Sequence, residues 1–194
     1  MTSNMTRREF LQGTVAGIVV GGFVTECGTS KNDSSRVLKT EQLLAGVEVA
    51  VLSAYQAVLN GLQSGRLGKV PSVVAEFASI AQSHHQAHLD HWNESLVKAR
   101  QGKQSTPDPT LASGMRTSLV AIKTLPDALD LLSNLEEISA ETCAANLQAV
   151  PDSNFRRWCG LIAPVESQHA AILRVLLGQE PTPTSTLSLS LART

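Results

Sequence analysis

The sequence predicts an all-α fold: an antiparallel bundle of four long helices, arranged as two hairpins joined by a longer crossover. Three observations predict it. Apolar residues recur at helical spacing through four long runs. No segment carries a competing strand pattern. The 194 residues include only two Trp, one Tyr and four Phe amid abundant Ala, Leu, Val and Ser, whereas aromatic side chains usually thicken strands. A chain of this length can bury the core of one ordinary domain. Its formal net charge of −1 and lack of a Lys/Arg-rich block leave no electrostatic footprint for a nucleic-acid partner.

Residues 1–27 stand apart from the fold. Thr6-Arg-Arg-Glu-Phe-Leu11 places two arginines before a Gly-rich, mildly apolar run from Gln12 to Thr25, too short and interrupted for a membrane span. This resembles a twin-arginine export signal, in which a receptor reads the paired arginines. The resemblance implies an exported protein of the periplasm or cell envelope, with the twin-arginine machinery as a partner. Cys27, in Val24-Thr-Glu-Cys-Gly28, looks like a lipid attachment site for membrane anchoring, although Glu26 stands where a small residue is expected; plain cleavage of the leader and a retained anchor are the alternatives. Residues 28–37 read as a polar linker.

The bundle is expected over 38–178. The first helix, Thr40 to Gln63, carries Leu43, Leu44, Val47, Val51, Leu52, Tyr55, Val58, Leu59 and Leu62 on one face. Gly61, Gly65, Gly68 and Pro71 break it. The second, Ser72 to about Arg100, has a stripe of Val73, Val74, Phe77, Ile80, His84, His88, Trp92 and Leu96. Gly102 to Ser113 reads as a surface crossover, and a short helical piece fits Met115 to Lys123. Pro126 opens the third long helix, which runs to Val150. Pro151 makes a turn in which Asp152 or Ser153 can cap the fourth helix, and Gly178 stops that helix. The Pro-, Thr- and Ser-rich tail, 179–194, reads as disordered.

Each long helix places an acid or a histidine among its apolar residues, where an unpaired charge costs several kcal/mol. Glu48 falls between Leu44, Val51, Leu52 and Tyr55. His88 sits within the second stripe, flanked by His84 and His85. Glu136 neighbours Leu132, Ser139 and Cys143, whereas Glu137 and Glu141 turn outward. Glu166 and His169 share a face with Ile162 and Leu173. In an antiparallel hairpin, residues equidistant from the turn lie opposite each other. Glu136 and Glu166 are equidistant from Pro151, while Glu48 with His85 or His88 is centred in the Gly-rich break. Both hairpins thus set a Glu on the leading helix against an i, i+3 pair on the returning one: His85-Gln-Ala-His88 and Glu166-Ser-Gln-His169. Residues at i and i+3 share a helix face, and carboxylates and imidazoles suit iron, manganese or zinc. A divalent cation shared by Glu48, His85, His88, Glu136, Glu166 and His169 would offset the cost of burying them.

Residues 40–178 carrying these motifs resemble the ferritin-like superfamily, in particular its exported bacterial members with twin-arginine signals. The family pattern is a lone Glu, a Glu-x-x-His, a second lone Glu and a second Glu-x-x-His around two metals. Glu48 and Glu136 match the lone acids, Glu166 and His169 the last motif, and His88 the histidine of the earlier one. Tyr55 matches a tyrosine often found two turns after the first Glu. His85 replaces the first Glu of the earlier motif, which removes a bridging carboxylate, and Cys143 stands where a second tyrosine might be expected. The resemblance implies a di-metal carboxylate site, of iron or manganese, acting on dioxygen, peroxide or ferrous iron. The alternative is a degenerate bundle without catalysis that serves as an envelope binding or structural module. A haem would lack a Cys-x-x-Cys-His attachment motif.

His84 and His91 are expected beside the site or on the surface, and Phe77, Trp92 and Trp158 in the core. Cys143 and Cys159 are also equidistant from Pro151 and therefore neighbours, either as a disulfide or as two free thiols.

Overall fold

The computed structural model describes residues 31–193, so the paired arginines that resemble an export signal and Cys27 lie outside the described residues. Five helices follow in order: α1 (Lys31–Gln63), α2 (Ser72–Lys98), α3 (Pro109–Ala121), α4 (Leu125–Ala149) and α5 (Ser153–Leu176), with no strand among the described residues. The hairpins α1/α2 and α4/α5 pack tightly, α1 and α4 join them, and α3 crosses over α1 and α4. This is the bundle the sequence predicts, with the short crossover helix longer at its start. Asp108 accounts for that extension: its side chain accepts hydrogen bonds from Thr110 N and Leu111 N at 3.1 and 3.0 Å, and Pro109 opens the helix.

Each end has a local cause. Gly65 and Gly68 turn the chain between α1 and α2 with φ of 71° and 82°, a region where a Cβ is disfavoured, whereas Gly61, expected to break the helix, stays inside α1. A reciprocal pair of hydrogen bonds between Thr124 and Asp127 opens α4. Of the two candidate caps for α5 it is Asp152 that acts, accepting from Phe155 N at 2.7 Å. Gly178 closes α5: with φ 70°, its N–H bonds Val175 O while Gln179 N bonds Arg174 O.

The residues expected as a linker, 28–37, are helical from Lys31. Their polar composition hides a tertiary anchor: Arg36 donates to Ala149 O at 3.0 Å, and Val37 and Leu38 pack on the core. The α2 stripe is also rotated by about one residue. Its buried face is Val74, Ala78, Ala81, His85, Leu89, Trp92 and Leu96, whereas Val73 and Ile80 are exposed. Apolar side chains occupy both edges of that helix, so periodicity alone does not choose between them. Ala78 and Ala81 face the core, where small side chains let helices approach closely.

The tail, expected to be disordered, has no helix or strand but lies against α4. Leu191 N donates to Glu141 Oε2 at 2.6 Å, Arg193 N to Thr142 Oγ1 at 3.0 Å, and Asn146 Nδ2 to Arg193 O at 3.0 Å. Glu141 is therefore buried rather than outward-facing. A helical wheel sees only the face that other helices cover, not one covered by a strap of chain.

The apolar core divides in two. One cluster gathers around Val51, Tyr55, Leu132 and Leu135, and the other around Leu44, Trp92, Leu96 and Phe155. Between them runs a layer of acids and histidines.

Candidate metal centre

His85 occupies the middle of that layer and is fully buried. Its Nδ1 lies 2.8 Å from Glu48 Oε2 and its Nε2 3.0 Å from Glu136 Oε1, so one ring spans the acids of α1 and α4. From α5, Glu166 Oε1 comes within 2.8 Å of His88 Nδ1 and 3.6 Å of His85 Nδ1. Glu48 Oε1 is 3.5 Å from His88 Nδ1. His169 Nδ1 lies 3.3 Å from Glu136 Oε2. All six residues singled out in the sequence thus share one level, contributed by four helices. Five are at most 4 % exposed, and the His88 side chain, at 12 %, reaches toward solvent.

Two further side chains complete the layer. The Tyr55 hydroxyl, fully buried, donates to Glu136 Oε1; the sequence suggests Tyr55 by resemblance but not this bond. Exposed His84 meets His169, with Nδ1 3.0 Å from His169 Nε2. Its place at the edge of the stripe is the signal that it stands next to the site. His91, by contrast, stacks on Trp158 with ring centroids 3.6 Å apart, away from the acids.

Protons balance the charge of the metal-free cluster. Burial opposes ionisation of Glu48, but the hydrogen bond from His85 and the nearby His88 ring outweigh it and hold its pKa below the ordinary value. Burial of Glu136 is likewise overcome, by the charge of His85 and hydrogen bonds from His169 and His85. Burial pushes Glu166 well above the carboxylate range, helped by the charges of Glu48 and Glu136. Burial disfavours a charged His85, yet Glu166 and Glu136 raise its pKa well above that of a free imidazole; His88, against the same burial, rises to about 9 through Glu166 and Glu48. The acids of α1 and α4 thus favour the ionised form and the two histidines beside them the protonated form, whereas burial favours the neutral form of Glu166.

The donor set fits a divalent cation. Glu48, His85, His88 and Glu166 can offer ligand atoms within 4.8 Å of one another, as can His85, Glu136, Glu166 and His169. Both carboxyl oxygens of Glu166 and Nδ1 of His88 are buried without a hydrogen-bond partner; Glu166 Oε1 and His88 Nδ1 approach closely but without hydrogen-bond alignment. Orphaned buried polar atoms are rare and costly. Here they converge from two helices, as ligands around a cation would. Glu166 and His85 belong to both groups, so the two positions share donors.

Cys143 and Cys159 are both buried and free. Contact with the Cys159 thiol, followed by burial, holds the Cys143 thiol well above its ordinary pKa. They meet across α4 and α5 without a disulfide.

A family model described as a ferritin-like domain matches residues 36–179. No curated protein and no solved structure matches the chain. The matched stretch runs from the first turns of α1 to the close of α5 and contains the whole acid–histidine layer, and the chain belongs to this ferritin-like domain family.

Proposed function

We propose that the protein binds divalent metal, iron or manganese with zinc as the alternative, in the acid–histidine layer, and acts there on dioxygen, peroxide or ferrous iron. The observation that carries this reading is Glu166: both its oxygens are buried without an aligned hydrogen bond, and the residue is common to two four-donor groups. Glu48 and His88 would hold one cation and Glu136 and His169 the other, with Glu166 between them and His85 a donor to one of the two. A bound redox-active metal would supply electron transfer to or from dioxygen or peroxide. The chain's own residues provide the setting. Tyr55 orients Glu136, the two apolar clusters exclude water from above and below, and His84 and His88 mark where the layer approaches solvent. The twin-arginine-like leader supports export to the periplasm or cell envelope, with Cys27 as a lipid attachment point.

One observation favours a second reading, a degenerate bundle acting as an envelope binding or structural module. His85 pairs with Glu48 and Glu136 as an internal cation would, a metal-free answer to the same burial problem. Metal content of protein purified without chelators, together with melting before and after chelation, separates the two. Stoichiometric metal and a melting drop on chelation, both lost in Glu166→Ala/His169→Ala, are expected. No metal and no chelation effect would leave the second reading.

A further inference from the structure

The two nitrogens of His169 have separate surroundings. Nδ1 faces the acid–histidine layer, 3.3 Å from Glu136 Oε2. Nε2 points the other way, 3.0 Å from Nδ1 of His84. The His84 and His169 ring centroids are 5.2 Å apart and their planes differ by 13°. That separation is the N···N distance plus about two ring radii, so the rings lie edge to edge in nearly one plane, not face to face. An N–H between them points along the ring plane at the other nitrogen's lone pair, the favourable geometry for a hydrogen bond. The Phe77 ring stands edge-on to His169, with centroids 5.9 Å apart and planes at 80°, and limits its rotation.

A neutral imidazole carries one N–H, and the nitrogen that binds a metal must be bare. If His169 Nδ1 is the ligand, Nε2 must hold the proton and needs an acceptor. His84 Nδ1 is the acceptor in place. We propose that His84 is a positioning residue for the metal centre: when a cation replaces the Nδ1–H bond from His169 to Glu136, His84 Nδ1 accepts the Nε2–H of His169 and fixes the tautomer whose Nδ1 lone pair faces the cluster. This rests on the metal-binding reading above. An exposed histidine suits the role, because its own Nε2–H is then left to donate to water. Metal-bound histidines commonly have their second nitrogen anchored in this way, and loss of the anchor typically weakens metal binding 10–100-fold.

The test uses zinc, which has no redox chemistry, and the variants His84→Ala and His84→Asn; asparagine keeps an acceptor oxygen where Nδ1 stood. Zinc affinity is measured by calorimetry, and the His169 tautomer by long-range nitrogen–proton NMR of the zinc-loaded protein. His84→Ala should bind zinc about 10–100-fold more weakly and lose the single Nε2–H tautomer of His169, with the metal-free melting curve unchanged. His84→Asn should restore both affinity and tautomer. Wild-type zinc affinity in His84→Ala, or His84→Asn as weak as His84→Ala, overturns the proposal. Glu166→Ala separates the two levels of failure. If it abolishes zinc binding while His84→Ala leaves it intact, only the role of His84 falls. If the wild type binds no zinc, the metal reading falls and this role with it.

Discussion

Replacing Glu166 with leucine should shift stability in opposite directions with and without metal. In the metal-free protein both carboxyl oxygens are buried without an aligned hydrogen bond, and burial pushes the group's pKa above the carboxylate range. An unsatisfied buried polar group costs about 1–3 kcal/mol, and a leucine of similar size removes that cost. Metal-free Glu166→Leu should therefore be about 1–3 kcal/mol more stable than wild type. At about 2–4 °C per kcal/mol for a domain of this size, its melting temperature should rise by roughly 2–12 °C. With metal the order reverses. A ligand at 100 times its dissociation constant stabilises the folded state by about 2.7 kcal/mol, which the wild type gains and the variant loses. Scanning calorimetry at pH 7, in chelator and then in excess manganese or zinc, measures both effects. A variant that is less stable in chelator and keeps the wild-type metal shift would refute the reasoning, because Glu166 would then be satisfied within the protein and unnecessary for metal.

Three other perturbations read the same layer. His85→Glu restores the carboxylate that the family pattern places there; it should tighten metal binding by calorimetry and lower the metal-free melting temperature, since it removes the ring that bridges Glu48 and Glu136. The metal-free protein should lose stability as pH rises. His85 and His88 have folded pKa values above the unfolded value, so their contribution is complete below about 6.5 and disappears as pH climbs through about 9 for His88. Metal affinity should rise over the same interval because binding displaces those protons, and melting curves from pH 6 to 9 with and without metal would show the opposed trends. Cys143 and Cys159, buried and free, should resist alkylation in the native state and both react after denaturation. A nonreducing mass two hydrogens short would reveal a disulfide instead.

The bundle is legible because its punctuation is local. Gly65 and Gly68, Asp152 and Gly178 each act within a turn of their position and mark a boundary; Pro109 does the same, but the polar run around it reads as loop until Met115. The level of the acids is legible for a different reason: antiparallel helices joined by a short turn preserve equal distances from it, so Glu136 and Glu166 had to meet. Rotation about a helix axis is less determined. On α2, Val73 and Ile80 are as apolar as the residues that face the core, and only packing against α1 distinguishes Ala78 and Ala81. That rotation moves His85 to the centre of the layer and His88 to its edge. Long-range contacts of irregular chain leave no periodic trace, so the strap over Glu141 and the anchoring of Arg36 to Ala149 are visible only in three dimensions. The bond from Tyr55 to Glu136 joins helices distant in sequence and belongs to the same class.

The central claim is that carboxylates and imidazoles from four helices share a cation in the layer between the two apolar clusters. Anomalous diffraction from crystals grown with manganese tests it most directly. The account predicts density within about 2.0–2.3 Å of Glu166 and of the His88 or His169 nitrogens. Stoichiometric manganese bound elsewhere, with His85 still bridging Glu48 and Glu136, would contradict it.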